Sequence, residues 1–158
     1  MLTAHLPSGY CLAKLSGWRG PVFMAAIVGA VLPDVDLLFF YFVDDRAFHH
    51  HRYWVHVPFF WMVVAGLALP ILWKTHIRSV AVAFFAAVQM HMVLDSIGGG
   101  IMWFAPLNTE LLTLVTVEPT HSHWILSFLL HWTFVLELLI WIGAIHLFFK
   151  GRRLGGAS

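Results

Sequence analysis

The chain has 158 residues, of which 60% are hydrophobic and only 11% are charged. A soluble domain of this size usually has about a quarter of its residues charged, so this chain lacks the polar side chains needed to cover a water-exposed surface. Its net charge of +1, without a lysine or arginine run, gives no indication of a nucleic-acid partner. The single cysteine, Cys11, rules out an intrachain disulfide and a thiolate metal site. The composition therefore predicts an integral membrane protein whose main partner is the lipid bilayer.

Four long apolar stretches follow one another along the chain. They cover residues 22–43, 53–73, 79–97 and 124–149, and the first is interrupted by the segment Pro-Asp-Val-Asp. Each is near or above the roughly 20 residues that cross the hydrocarbon core of a bilayer. No internal repeat or linker divides the sequence. We therefore predict a single all-α domain over residues 1–158, with about four transmembrane helices.

A short hairpin is expected before the first span. Residues 5–16 are too few to cross the bilayer, and they run into the turn signal Ser-Gly-Trp-Arg-Gly-Pro. Residues 21–32 then run back, and at ~1.5 Å per residue each arm is roughly 18 Å long. Since both ends lie a similar number of residues from the turn, this re-entrant or short helical hairpin places His5 near Asp34 and Asp36.

The basic residues predict an orientation. Seven of the nine lysines and arginines flank span ends that share one side if there are four spans, and only Arg46 and Arg52 lie on the other side. The positive-inside rule then places both termini in the cytoplasm. No basic residue precedes Lys14, so the charged start of a signal peptide is missing and we expect the first apolar stretch to be retained.

A long outer loop is predicted between the third and fourth spans. Three consecutive glycines, residues 98–100, end the third helix. Residues 112–117 are rich in β-branched side chains and are consistent with either a short strand or an interfacial segment, which periodicity alone does not distinguish.

Nine of the eleven histidines fall on the outer side, together with aspartates embedded in apolar sequence. They lie at the outer ends of the spans or reach the same level through the hairpin: His51, His56, His91, Asp95, His121, His123, His131, His5, Asp34 and Asp36. Of these, His91 and Asp95 are four residues apart and share one helix face. An imidazole or carboxylate that faces lipid costs several kcal/mol, so such side chains turn toward the bundle interior.

A divalent cation explains this convergence better than an ion pair does. Arg52 is the basic residue closest to the set, and one guanidinium cannot neutralise three carboxylates. Neutral imidazoles with carboxylates, in the absence of thiolates, suit zinc first and also manganese or iron. The number of metal ions stays open.

Structural roles compete with metal binding at several of these positions. His91 and Asp95 could instead form a hydrogen-bonded pair within the bundle. Helix capping at the Pro33 break could explain one of the two neighbouring aspartates but not both. Asp44 and Asp45 are expected to be solvated.

Further polar residues keep more than one interpretation. They are His49, His50, His121, His123, His131 and Glu137. A solvated loop would explain His49 and His50 as well as metal binding does. The next two flank the start of the fourth span, where Ser122 is a suitable helix cap. The glutamate, deep in the fourth span, is protonated, paired with a buried histidine or part of the site.

Four motifs occur in a recognisable order. They are His5, Leu32-Pro33-Asp34-Val35-Asp36, His51-Arg52-x-x-x-His56, and His91-x-x-Leu94-Asp95, followed by Gly98 to Gly100 and Pro106. Over roughly residues 1–107 this set resembles the YdjM-like bacterial inner-membrane metal-dependent hydrolases. The resemblance implies that the seven histidines and aspartates of the motifs are the ligand or catalytic set. It also implies a distant relationship to the zinc-dependent phospholipase C superfamily, whose all-helical members cleave phosphoesters with His/Asp zinc clusters.

The chain departs from the pattern of that family around its second motif. Tyr53 follows the arginine where the family usually has a small residue, and Val55 and Val57 flank the second histidine where threonine or serine is usual. We therefore expect a drier or differently selective site.

The function expected from these features is hydrolysis of a phosphoester in a lipid or lipid-linked substrate at the outer membrane–water boundary. Asp34, Asp36 and Asp95 would bridge metals or accept a proton from water, and Arg52 would stabilise charge on the phosphoryl group. One alternative is a metal-ion or proton transporter. Another is a non-catalytic membrane protein with a structural metal.

Overall fold

The computed structural model describes residues 3–155, with side chains up to residue 152, and this part of the chain consists of helices joined by turns and loops. The α-helices are α1 His5–Leu15, α2 Gly20–Val31, α3 Asp36–Phe42, α4 Pro58–Leu72, α5 Arg78–Asp95, α6 Trp124–Leu129 and α7 Thr133–Gly155. Three short 3-10 turns cover Leu32–Val35, His50–Arg52 and Trp54–His56.

Three helical segments are long and apolar enough to cross a membrane. They are Gly20–Phe42, which runs from α2 through α3, then Arg78–Asp95 and Thr133–Arg152. The apolar helix α4 is shorter, with 15 residues. The predicted fold class, an all-helical transmembrane protein, is confirmed. Three spanning helices with the shorter α4 are roughly consistent with the predicted number of about four.

The predicted N-terminal hairpin is present as α1 and α2. Its turn contains Gly17 at φ 70° and Gly20 at φ 54°, backbone conformations in which glycine carries no steric penalty. The two helices pack side by side, so the start of α1 returns to the level of the residues that follow α2. The similar lengths of the two arms predicted this return of the chain.

The second span begins later than the sequence predicted. Helix α4 starts at Pro58 rather than at Tyr53. Proline disfavours the helical conformation in the residue before it, and Val57 accordingly has φ −94° and ψ 111°. The residues that precede it form 3-10 turns, which places two predicted metal ligands outside the helix.

The last span is also shorter than predicted, because the helix is interrupted between α6 and α7. At the break, the Nδ1 atom of His131 accepts hydrogen bonds from the backbone N–H of Thr133 at 3.3 Å and from its hydroxyl at 2.9 Å. A side chain that satisfies a backbone donor in this way replaces the helical carbonyl and starts a new helix. The prediction of one helix from residue 124 to 149 is therefore wrong.

The loop between α5 and α6 folds back over the end of α5. Ile101 and Leu112 exchange backbone hydrogen bonds in one isolated antiparallel bridge, and Leu114 N–H donates to the carbonyl of Ser96. The segment 112–117 therefore forms a single bridge rather than a strand. Ile101 is fully buried, so the loop closes one end of the bundle.

Small residues set the spacing between α2 and α5, the most extensively packed helix pair. Ala26, Ala30, Ala83 and Ala87 are fully buried between them. A Cβ atom on Gly29 would lie 2.4 Å from the carbonyl oxygen of Phe84. Helices in membranes associate through small residues of this kind, since close backbone approach maximises van der Waals contact.

Replacement of Gly29 by alanine is therefore expected to destabilise the protein by about 1–3 kcal/mol, the usual cost of overpacking. The added methyl group meets rigid backbone, so the two helices must separate. Gly66→Ala in α4 is the matched control, because a Cβ there has no heavy atom within 4 Å. Thermal unfolding in detergent measures both variants. Equal midpoints for the two would contradict the close packing of α2 on α5.

Candidate metal centre

The break between α2 and α3 positions two carboxylates. Pro33 lies in the 3-10 turn Leu32–Val35, which is tighter than an α-helix and continues directly into α3. The two aspartates contact opposite sides of the His56 ring. Asp36 Oδ2 is 2.5 Å from Nδ1, and Asp34 Oδ1 is 3.9 Å from Nε2. Asp36 is fully buried, whereas the side chain of Asp34 is 31% exposed.

Two consecutive 3-10 turns before α4 carry the next pair of histidines. The first turn is capped by His49, whose Nδ1 accepts the backbone N–H of His51 at 3.2 Å. An extended residue, Tyr53, separates the turns. The rings of His51 and His56 are thereby stacked, with centroids 4.5 Å apart. Both side chains are buried.

The end of α5 and the start of α1 supply the remaining ligand candidates. His91 Nε2 lies 3.0 Å from Asp95 Oδ2, one helical turn along α5. His5 stacks on the ring of His91 at a centroid distance of 3.8 Å, and its Nε2 lies 3.0 Å from Asp95 Oδ1. The hairpin thus brings His5 to Asp34, His91 and Asp95, whereas Asp36 contacts His56 and His50 instead.

Hydrogen bonds at Nδ1 determine the tautomer of three histidines. His91 Nδ1 is 2.7 Å from the carbonyl oxygen of Ala30, and His51 Nδ1 is 2.8 Å from that of Gly100. A carbonyl only accepts, so both Nδ1 atoms carry the proton. His56 Nδ1 donates to Asp36 in the same way. In the neutral rings the lone pair is therefore on Nε2, which is how metal-binding histidines are usually oriented.

These Nε2 atoms converge on Asp95. His56 Nε2 lies 3.2 Å from His91 Nε2 and 3.4 Å from Asp95 Oδ2, and His51 Nε2 lies 3.5 Å from the same oxygen. Ligand atoms held at ~2.1 Å by one tetrahedral cation are roughly 3.4 Å apart. The spacing therefore matches that of donor atoms sharing a cation.

Two neighbouring groups have the composition and spacing of metal sites. One comprises His5, Asp34, His91 and Asp95, and the other comprises His50, His51 and His56, with the ligand atoms of each group within 4.8 Å of one another. Asp95 presents Oδ1 to His5 and Oδ2 to the other histidines, so it lies between the groups. Within the described residues, Asp36 Oδ1 and His50 Nδ1 are buried without a hydrogen-bond partner and lie 3.6 Å apart. A cation bound at His50 Nδ1 would satisfy that atom and would lie beside the negative charge of Asp36, so this donor set fits a divalent metal.

The surroundings of His51 and His56, which lie outside the spanning segments, set the ionisation of both rings. Burial lowers the pKa of His51 to about 3, which keeps its imidazole neutral and able to bind a cation. Burial also disfavours the charged form of His56, but hydrogen bonds to Asp36 and Asp95 outweigh it and raise its pKa to about 9. The carboxylates that stabilise the protonated His56 ring would also stabilise a divalent cation that displaces this proton.

The structure brings all seven predicted histidines and aspartates into this cluster. It does not bring Arg52 there, since that side chain is exposed and forms no ion pair with a carboxylate in the part of the chain described. His50, whose role the sequence left open, joins the cluster. The sequence feature that could have indicated this role is the run of three histidines, residues 49–51. The 3-10 turn directs the last two of them into the cluster.

Other polar residues have local partners outside the cluster. His121 is exposed and contacts the hydroxyl of Thr120. His123 accepts the N–H of Ile125, so this histidine rather than Ser122 caps α6. The predicted solvation of Asp45 agrees with its exposure.

The remaining polar predictions concern Asp44 and Glu137. Asp44 is only partly exposed and accepts a short hydrogen bond from the hydroxyl of Tyr53. Glu137 is fully buried and accepts hydrogen bonds from Thr3. Because α7 begins only at Thr133, Glu137 lies in its second turn rather than near the middle of a long span.

Comparison with known proteins identifies the family of this chain. The model of the YdjM inner membrane protein family matches residues 1–154, well beyond the motifs of the N-terminal two thirds. No curated protein and no solved structure matches the chain. The family match agrees with the spanning helices in placing this multi-pass protein in the inner membrane. The chain belongs to the YdjM inner membrane protein family.

Proposed function

We propose that the protein is a metal-dependent hydrolase that cleaves a phosphoester of a lipid or lipid-linked substrate. The observation that carries the proposal is the convergence of three Nε2 atoms, from His51, His56 and His91, on the carboxylate of Asp95. Each of the three rings has its other nitrogen engaged by an acceptor. Such preorganised sets are typical of metal sites in enzymes.

The position of the cluster favours a lipid substrate. It lies where α1 begins and α2 and α5 end, at the end of the bundle remote from Lys14, Arg78 and Lys150. Leu38, Phe39 and Phe42, which follow the cluster aspartates on α3, are exposed. A phospholipid embedded in the bilayer would present its phosphate at this depth. By the positive-inside rule this end faces outward.

The residues of the cluster take different roles in the proposed reaction. A divalent cation held by these histidines and Asp95 would polarise a phosphoryl oxygen and favour attack by water. Asp36 and the Ala30 carbonyl hold the imidazoles of His56 and His91 in place. Asp34 is the partly exposed carboxylate of the cluster, so it is placed to accept the proton of the attacking water. For a phospholipid diester, the water oxygen would bond to phosphorus as the P–O bond to the leaving group breaks. The proton taken up by Asp34 would pass to the leaving oxygen, giving an alcohol and a phosphate monoester.

Elemental analysis together with a phospholipase assay tests the proposal. The protein purified in detergent is expected to carry near-stoichiometric metal and to hydrolyse phospholipids in mixed micelles. His91→Ala is expected to lose metal and activity together, whereas Glu118→Gln, an exposed loop change, keeps both. Wild-type protein without near-stoichiometric metal would refute the proposal.

Two alternative functions give different results in these experiments. A structural metal predicts bound metal without hydrolysis of any phosphoester. A transporter predicts metal flux into sealed vesicles. The sequence of α2, from Gly20 to Val31, and that of α4, from Pro58 to Leu72, contain no ionisable side chain. A transport path needs polar groups along its length, so this distribution favours a one-sided site.

A further inference from the structure

A buried carboxylate lies outside the metal centre, on α7, which among the described residues supplies no member of either metal group. Glu137 on α7 is fully buried. Its Oε2 atom accepts the backbone N–H of Thr3 at 2.8 Å and the hydroxyl of Thr3 at 2.6 Å. The indole N–H of Trp141, one turn further along α7, donates to the same hydroxyl at 3.2 Å. These bonds join α7 to the segment that leads into α1.

The joined segment leads directly to a cluster residue. Thr3 is two residues before His5, and His5 is the first residue of α1. His5 Nε2 lies 3.0 Å from Asp95 Oδ1. Within the described residues neither metal group includes a side chain of α7, and α7 packs mainly against α1. The influence of α7 on the cluster therefore passes through the start of α1.

The chemistry of the contact indicates that it has a specific role. A carboxylate within a spanning helix is costly, and apolar packing would join two helices at lower cost. Hydrogen bonds to one backbone N–H and one hydroxyl hold the chain in a defined register, which packing of leucines does not. A metal ligand needs this precision, because displacement by about 1 Å is enough to disable a site.

We propose that Glu137 is a positioning residue that holds the N-terminal end of α1 so that His5 reaches Asp95. The inference rests on the proposed metal-dependent function, since it assigns His5 to that site. Glu137 itself touches neither substrate nor metal in this proposal. Its effect is transmitted through Thr3.

Paired substitutions on both sides of the contact test the proposal. Glu137→Leu removes the acceptor and Thr3→Val removes the hydroxyl donor. Glu137→Gln keeps an acceptor oxygen and Thr3→Ser keeps a hydroxyl. The first two variants are expected to bind zinc about 10–100-fold more weakly, the range found for residues that orient ligands. The two conservative variants are expected to stay close to the wild-type affinity.

A second readout does not depend on metal or activity. Diethylpyrocarbonate acylates accessible imidazoles, and mass spectrometry locates each modified histidine. His5 is 4% exposed in the native protein, so its acylation is expected to be slow and to accelerate several-fold in Glu137→Leu and Thr3→Val. The fully buried His56 and His91 are expected to stay protected, which shows that the variants remain folded.

The outcomes separate this inference from the proposed function. Wild-type affinity and slow His5 acylation in both Glu137→Leu and Thr3→Val would overturn the positioning role. If the wild-type protein binds no zinc, the proposed function fails, and the acylation rates alone decide the role of Glu137. If Glu137→Leu does not fold, Thr3→Val decides. A double variant that loses no more affinity than either single one would support one shared contact.

Discussion

Replacement of Asp95 by asparagine is expected to lower metal affinity by more than about 100-fold, beyond the upper end of the loss seen when only orienting residues are removed. Asp95 lies between the two groups of ligand candidates, with His5 on one oxygen and His51, His56 and His91 near the other. Asparagine has almost the same shape but removes the negative charge that both groups of imidazoles share. Chelator competition in detergent measures the change.

Thermal unfolding gives an independent measurement of the same prediction. A ligand that binds only the folded state stabilises it by about 2.7 kcal/mol when its concentration is 100 times its Kd. Added zinc is therefore expected to raise the unfolding midpoint of the wild-type protein and of Glu118→Gln, but not that of Asp95→Asn. A zinc-dependent midpoint in Asp95→Asn equal to that of the wild type would contradict the central role of this carboxylate.

The alternative of a structural metal predicts a different pattern at the same position. In that case Asp95→Ala lowers thermal stability, and no hydrolytic activity exists to be lost. If Asp95 belongs to a catalytic site, activity disappears even under conditions where the variant remains folded. Measuring turnover and unfolding on the same preparations therefore separates the two interpretations.

Much of the candidate site was predictable because short-range chemistry dominates it. The turn signal between α1 and α2 determined the hairpin, and equal arm lengths then placed His5 beside Asp34. The spacing of His91 and Asp95 by one helical turn predicted their contact directly. The burial cost of charged groups in a membrane explains why these residues face one another rather than lipid.

The features that were not predicted depend on partners that leave no sequence signal. The acceptors for His91 and His51 are the backbone carbonyls of Ala30 and Gly100, which any residue type would supply. The role of His50 depends on how a 3-10 turn rotates three adjacent histidines. The break before α7 results from His131, whose side chain competes for a backbone donor. Hydropathy alone cannot reveal such a competition.

Asp34 and Asp36 differ in exposure and in the side of His56 that they contact. The side chain of Asp34 is 31% exposed and that of Asp36 only 1%. Asp36 contacts the Nδ1 side of His56, away from the Nε2 atom that faces Asp95. The sequence motif makes the two look equivalent, whereas the structure gives Asp36 the position of an orienting carboxylate.

Asp36→Asn is accordingly expected to weaken metal binding by about 10–100-fold without abolishing it. The asparagine oxygen can still accept the Nδ1 proton of His56, so the ring keeps its orientation, but a neutral acceptor makes Nε2 less basic. Full metal occupancy is expected to return at higher zinc concentration. Chelator competition titrations report both the affinity and the final stoichiometry.

The matched control for this change is Asp45→Asn. Asp45 is exposed and has φ 45°, a conformation that asparagine also tolerates, so this variant makes the same chemical change without touching the cluster. Asp36→Asn is expected to have a smaller effect in a His56→Ala background, because part of its influence passes through that ring and the rest through His50. A loss of metal affinity as severe as that of Asp95→Asn would instead make Asp36 a direct ligand. Unchanged affinity would show that His56 binds the metal without help from the Asp36 charge.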